Sequence, residues 1–468
     1  MSTVVIGAGP AGLACATQLV DHGMRVTVLE AAPQVGGLAR SLRLFGQTVD
    51  CGPHRFFSRD RIVVDHWRRF AEPVEMVRRL TRIHYRGRFF RYPLEPLDAF
   101  ANLDLVDTAR AVASYAWQRA RPIREPKNLE EWVTSRFGGH LYRTFFRTYS
   151  EKLWGVPCTR IDADWAAQRI KGLSLLEAAR HALLPGRRRP KTLIDEFAYP
   201  RGGAGVVYER MAAHVRARGG EVRLGSPVRE VLLDGEGGAA GVALADGTRV
   251  AARHVVSTMP LTLMVRALRG VPAAVRDACD RLRFRNTILV YLDVDDAAVF
   301  PDNWIYVHAP EVRHGRVTNF RNWSPALHGD ARSSVLCVEL WCFDDDALWS
   351  DDDGTLAALA ERELRGIGLL GAGVRVLGSH VLRLRRSYPV YETGYAAQLA
   401  RIQAHVDSIP RLLAAGRYGA FKYNNQDHSI LMGLLAATEI LTGTTQKLWQ
   451  VNSDGDYQES GEVQALFH

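Results

Sequence analysis

Apolar positions recur along this 468-residue chain in two rhythms, and the rhythm changes near residues 62 and 200. Thr3 to Ile6 is a short, continuous apolar run that predicts a buried strand. Leu13 to His22 has helical spacing, and Gly23 ends it; Arg25 to Leu29 alternates as a second strand closed by Glu30. From about Ile62 to Leu184 the aromatic and aliphatic positions keep helical spacing, which predicts helices and no strands. After Pro200 the pattern shifts. Val206 to Val215 reads as a helix; Val222 to Leu224, Val228 to Leu233, Gly241 to Leu244 and Val255 to Met259 read as strands, with Asp246-Gly247 a hairpin turn. The runs 285–295 and 334–342 are apolar and β-branched, so they predict buried strands. Leu356 to Leu364, Tyr395 to Val406 and His428 to Leu441 predict helices. The fold expected is α/β: a doubly wound, Rossmann-like domain with a helical insertion and a mixed α+β region.

The length is about three times the ~150-residue domain prior, so several folding units are expected. At 47% hydrophobic and 24% charged residues, the composition excludes a disordered, collagenous or disulfide-framework protein. The net charge of +9 rests on arginine, which makes up 54 of the 60 basic residues. The only dense basic run is Arg187 to Arg189, so a nucleic-acid surface is not indicated. Guanidinium forks do suit an anionic substrate. The six cysteines form no C-x-x-C pair, which speaks against a zinc or thioredoxin-like site and for free thiols. No leader and no apolar stretch of ~20 residues is visible, so a cytoplasmic protein without a membrane span is expected. Asn452 to Asp456 has the glycine in the wrong place for a calcium loop, and no metal site is expected.

The chemistry begins at Gly7-Ala8-Gly9-Pro10-Ala11-Gly12, a G-x-G-x-x-G turn after a strand and before a helix. Gly7 permits the tight turn, Gly9 lets backbone approach a pyrophosphate, and Gly12 lets helix and strand pack closely. Pro10 and Ala11 open the helix, whose N-terminus offers N–H groups to an anion. Glu30 can accept hydrogen bonds from ribose hydroxyls and would repel a 2′-phosphate. This turn does not separate NAD from FAD. The following Val35-Gly36-Gly37-Leu38-Ala39-Arg40 resembles the G-G-x-x-R run of amine-oxidase-like flavoproteins, which implies that Gly37, Leu38 and Arg40 meet the phosphates of FAD.

Further segments resemble the UDP-galactopyranose mutases, in chain order from residue 4 to about 440. Asp50-Cys51-Gly52-Pro53-His54-Arg55-Phe56-Phe57 resembles their histidine loop against the isoalloxazine ring. Gly87 to Leu94 resembles their G-x-x-x-x-x-P segment. Phe145-Phe146-Arg147-Thr148-Tyr149-Ser150-Glu151-Lys152-Leu153-Trp154-Gly155 resembles the run lining the nucleotide end of their substrate, followed by Arg169-Ile170. Tyr199 to Gly203 resembles their P-x-G-G turn, and Gly416-Arg417 to Asp427 their last flavin segment. Two departures stand out: Arg169-Ile170 lacks a second arginine after it, and Tyr423-Asn424-Asn425-Gln426 replaces Y-x-x-M.

The resemblance implies noncovalent FAD, used in reduced form with NADPH or another reductant, and a pyranose–furanose mutase of a nucleotide-diphosphate sugar. It implies catalytic roles for His54, Arg55, Arg417 and Tyr423, and substrate contacts from Phe145, Phe146, Tyr149, Trp154, Arg169, Tyr391 and Asn424. On the flavin it implies His54, Val228, Gly416, Arg417, Asp427, His428 and Ser429. Asp427, before an apolar helix, is also a candidate N-cap. The domain layout expected is 1–60, 196–265 and 386–468 for FAD, with 61–195 a helical insertion and 266–385 a sheet-and-helix substrate domain. Two other readings stay open. One is an oxidoreductase of amine-oxidase or protoporphyrinogen-oxidase type; the other is a nucleotide-binding regulatory protein without turnover. The residues also allow core packing for Phe145 and Tyr149, a structural histidine at 54, and surface or capping charges at Arg40 and Arg417.

Overall fold

The computed structural model describes residues 2–92, 94, 98, 102–165 and 196–452. Ser2–Ile6, the helix Pro10–Asp21 and Arg25–Leu29 form the β-α-β unit that the apolar rhythm predicts. Ser2–Ile6 lies in the middle of a five-stranded parallel sheet ordered Leu412–Ala414, His254–Ser257, Ser2–Ile6, Arg25–Leu29, Glu221–Arg223. Val4, Val5 and Val28 are almost fully buried, because a parallel sheet is covered on both faces. The helix Gln426–Thr442 packs along Pro10–Asp21 beside it.

The second large element is a seven-stranded sheet. Its order is Val376–Pro389, Phe284–Val294, Ser334–Cys342, Arg316–Asn319, Trp304–Val307, Thr81–Tyr85, Arg88–Arg91. All its pairs are antiparallel except that between Trp304–Val307 and Thr81–Tyr85. Side chains alternate between its two faces. Ile288, Val290, Ile305, Val317, Val338 and Leu340 share an apolar core with Leu356, Ala360 and Leu364 of the helix Asp353–Gly366. The opposite face carries Thr287, Trp304, Tyr306, Arg316 and Glu339, and it looks towards the dinucleotide domain.

The helical reading of 62–184 needs correcting. Val74–Arg78, Thr81–Tyr85 and Arg88–Arg91 are strands. They are short and carry several arginines; Val74–Arg78 pairs with the distant Glu196–Pro200 and Thr81–Tyr85 with the distant Trp304–Val307, while Arg88–Arg91 pairs with Thr81–Tyr85 as a hairpin. Tertiary pairing overrides local spacing there. Helices do follow at Leu105–Ala120, Leu129–Phe137 and Thr148–Trp154. All six cysteines are free and buried. No described helix is long and apolar enough to cross a membrane, and the described residues hold no His/Cys/Asp/Glu cluster able to bind a metal.

Candidate active site

Between the dinucleotide domain and the inner face of the seven-stranded sheet lies a cavity of about 1670 Å³. At one end, Gly9, Pro10 and Ala11 open the helix Pro10–Asp21 onto it; Asp427, His428 and Ser429 do the same for Gln426–Thr442. Two helix N-termini thus direct N–H groups and positive partial charge at the cavity, and the one at Gly9 to Ala11, opened by the glycine turn, suits a pyrophosphate. Glu30 is fixed by two backbone donors, Ala8 N to Oε2 at 2.7 Å and Ala32 N to Oε1 at 2.8 Å. Each oxygen keeps a lone pair for a hydroxyl. Gly37, Leu38, Arg40, Val228 and Gly416 line the same end, with Arg40 Nη1 donating to Gly37 O at 2.8 Å.

The three glycines of the turn have different reasons. A Cβ on Gly12 would stand 2.0 Å from Gly7 O, and one on Gly7 would meet Thr258 Oγ1 at 2.2 Å. The fold itself demands both. Gly12 therefore lies behind the wall rather than on it. Gly9 has φ −83° and ψ −174°, which any residue adopts, and its Cβ would meet only Gly37 Cα, at 3.8 Å. No protein atom requires glycine at 9; its missing side chain leaves backbone open to the cavity. A dinucleotide's pyrophosphate at this N-terminus fits that cradle.

Asp427 is not the N-cap of its helix. Asn425 holds that position, and its backbone N–H donates to His428 Nδ1 at 3.2 Å. Asp427 sits two residues into the first turn, where a carboxylate favours the helix dipole. Gln426, one of the departures from the mutase pattern, has a definite task. Its Nε2 donates to His54 O and Arg55 O at 3.2 and 3.3 Å, and its Oε1 accepts from Tyr208. It ties the histidine loop to the helix start.

His54 and Arg55 both line the cavity. His54 Nδ1 lies 3.1 Å from Gly52 O; since a carbonyl only accepts, Nδ1 carries the proton. Burial, then the guanidiniums of Arg316 and Arg417, push its pKa down to about 3, so the ring is neutral. Between the ordinary value near 6.5 and about 3, the unfolded chain binds the extra proton. His54 therefore contributes stability that is complete above pH 6.5 and is lost as pH falls towards 3. Nitrogen chemical shifts of His54 in the holoprotein are expected to stay those of a neutral ring at about pH 5; a midpoint near 6.5 would contradict this environment.

Beyond His54 the walls are aromatic. Tyr142–Arg147 winds as a π-helical turn before Thr148–Trp154, a distortion often met at functional sites. Phe145 and Tyr149 both reach the cavity wall. Phe145 packs edge-on against Phe90 at 5.0 Å, Phe146 stacks on Phe137 at 5.3 Å, and Tyr149 stacks on His308 at 4.8 Å. Trp154 lines the wall while only 1% exposed, so it is no surface opening. Its Nε1 has no hydrogen-bond partner among the described residues. Tyr391 is not on the wall. It stands behind Tyr423, whose backbone N–H donates to its hydroxyl at 2.6 Å. Asn424 lines the cavity, but its side chain is committed to Met432 Sδ and Asn452. Arg169 falls outside the described residues.

Of the arginines that line the cavity, Arg417 and Arg316 are in different states. Arg417 sits over the rings of Tyr388 and Tyr423, 4.7 and 4.4 Å from their centroids. Its Nε and Nη1 donate to the carbonyls of Ser387 and Asn424, at 2.8 and 2.9 Å. No carboxylate of the described residues pairs with it, so its charge stays available. The cradle is neither surface nor capping. Arg316 is the residue the sequence reading missed. It makes two 2.6 Å bonds to Glu339, its register partner on the neighbouring strand. Burial opposes its charge, but Glu339 holds it ionised, well above the ordinary value. A signal existed: Glu339 is the lone charge in the apolar run Ser334–Cys342.

Comparison with known proteins agrees with this geometry. A probable UDP-galactopyranose mutase of Klebsiella pneumoniae is 29% identical over 167 residues, 34% of this chain and 43% of that relative, so this match spans under half of the relative's length. A coproporphyrinogen III oxidase of Mycobacterium tuberculosis is 24% identical over 445 residues, covering 89% of this chain and 92% of the other. A crystal structure of reduced UDP-galactopyranose mutase superposes with a TM-score of 0.84 at 23% identity, over 97% of this chain and 98% of that one. The pattern of flavin containing amine oxidoreductases matches residues 10–441. The chain is a flavoenzyme of that family, the flavin containing amine oxidoreductases.

Proposed function

We propose that the chain binds FAD noncovalently and acts on a nucleotide-diphosphate sugar, as a pyranose–furanose mutase that works with reduced flavin. One observation carries this reading: Arg417, a cation without a carboxylate partner among the described residues, lies over the rings of Tyr388 and Tyr423 on the wall that also carries His54. Such a cation offsets charge on a departing diphosphate. Arg316 does not serve equally, because Glu339 already neutralises it. When bound, the flavin would supply the reactive centre for the change of ring size, held by the glycine turn, Glu30 and Arg40. Tyr149, Phe145, Phe146 and Trp154 offer aromatic surface to a base and sugar; Tyr423 closes the diphosphate end with Arg417. The neutral ring of His54 adds no charge at the flavin edge.

Tyr149→Ala and Trp154→Phe test this binding role. Each is expected to weaken UDP-sugar binding to the reduced holoprotein, by about 1–3 kcal/mol for the alanine variant, with flavin content unchanged. The readout is the ligand-induced rise in melting temperature. Loss of flavin in both variants would assign these rings to packing alone. An oxidoreductase is the second reading; what favours it is the Mycobacterium tuberculosis relative named above, which matches nearly the whole chain.

A further inference from the structure

The helix Leu105–Ala120 is built inside out. Most helices here bury their apolar stripe, as Arg61–Ala71 does with Val63, Val64, Trp67 and Phe70. Leu105–Ala120 buries only Ala111 and Gln118, and turns Asp107, Thr108 and Ser114 towards the protein. Its docking contacts are polar: Ser114 Oγ accepts from His140 N at 3.1 Å, and Asp107 lies 3.3 Å from His140 Nε2. Outwards it presents Leu105, Val106, Val112 and Trp117, which are 89, 58, 54 and 60% exposed. Exposed alanines fill the spaces between them. At 3.6 residues per turn these positions form one continuous arc of about 140°.

Arginines flank the arc on both sides. Arg119 stands beside Val112 and Arg110 beyond Trp117, while Arg121 follows the helix and lies over the Trp117 ring at 4.3 Å. Arg119 and Arg121 have no carboxylate partner among the described residues. We infer that this helix docks in the plane of an anionic phospholipid surface, its apolar arc among the acyl chains and its arginines at the headgroups. Apolar face, flanking arginines and an interfacial tryptophan are the composition of a helix that lies on a bilayer rather than across it. Charge selects this occupant over a second copy of the chain. A twofold contact through the arc with the helices parallel would set Arg119 of one copy against Arg121 of the other, whereas anionic lipid pairs with both; Arg110 already has Asp107 at 3.6 Å. Membrane docking of this face is independent of which substrate the cavity takes.

Flotation of the full-length, flavin-loaded protein tests it. Wild type is expected to float with phosphatidylglycerol-rich vesicles, less so at high salt, and weakly with pure phosphatidylcholine. The triple variant Leu105→Ser, Val112→Ser, Trp117→Ser changes only exposed positions, so flavin content and melting temperature should hold while partitioning falls about tenfold or more. Arg119→Gln with Arg121→Gln should remove much of the salt-sensitive part. A wild type that stays off vesicles overturns the inference, as does a triple variant that floats equally well. A wild-type dimer that the triple variant splits, with no vesicle binding by either, assigns the face to a second copy instead.

Discussion

Gly9→Val is expected to yield a folded but colourless protein. The wild type should be yellow and release FAD, not FMN, on denaturation, because Glu30 is held by Ala8 and Ala32 where only an adenosine ribose would use it. At position 9 the backbone is extended, and the nearest protein atom to a side-chain Cβ there is Gly37 Cα, at 3.8 Å. Valine therefore costs the apoprotein little, and its methyl groups take up cavity space at the N-terminus of Pro10–Asp21, where a pyrophosphate would gain its N–H contacts. Flavin content should fall to near zero with the far-ultraviolet dichroism preserved. The melting temperature should match that of wild-type apoprotein, since only cofactor-linked stability is lost. Gly12→Val is the contrast. Its Cβ would sit 2.0 Å from Gly7 O, so that variant should fail to fold rather than merely fail to bind. Full flavin occupancy in Gly9→Val, or tightly bound NADP in the wild type, would remove the basis for the assignment.

What could be read from the chain follows from how locally each feature is specified. The turn from Gly7 to Gly12 and the acid at Glu30 lie within one β-α-β unit, so their spacing already fixes the geometry. The pocket's aromatic run, Phe145 to Trp154, is also contiguous, although the π-helical turn at Tyr142–Arg147 replaces the simple helical face expected there. Val74–Arg78 and Thr81–Tyr85 were hidden because they pair with strands over a hundred residues away, at Glu196–Pro200 and Trp304–Val307, and Arg88–Arg91 joins the sheet only as the hairpin partner of Thr81–Tyr85. Arg316 and Glu339 became a site only when two strands set them side by side. Arg316 alone reads as an ordinary charge, and only Glu339, the lone charge in an apolar strand, gave a signal. Gln426 shows the converse: as a departure from a family pattern it is unremarkable, yet it fastens His54 and Arg55 to a helix start. Tyr391 shares the aromatic neighbourhood, but its hydroxyl serves the backbone of Tyr423.

A single chemical reduction under anaerobic conditions is expected to support many turnovers of a nucleotide sugar. Substrate and product of a mutase are isomers, so no electrons are left over and no reductant is consumed after the first reduction. An oxidoreductase must pass two electrons to an acceptor for each product. Counting product against reductant supplied therefore separates the two readings without knowledge of the sugar. Arg417→Ala sharpens the test. The guanidinium over Tyr388 and Tyr423 has no carboxylate among the described residues to neutralise it, so its removal takes real charge from the cavity wall where the mutase reading puts the departing diphosphate. Loss of one such electrostatic group costs on the order of 10²–10³ in turnover. Arg417→Lys should recover only part of this, because an ammonium cannot keep both carbonyl bonds to Ser387 and Asn424 while facing the ligand. Flavin content must be measured alongside, since Arg417 adjoins Gly416, which lines the same cavity. One acceptor consumed per product would overturn the mutase reading and assign the cavity to redox chemistry; many products per reduction, lost in Arg417→Ala with flavin retained, would place the diphosphate at Arg417.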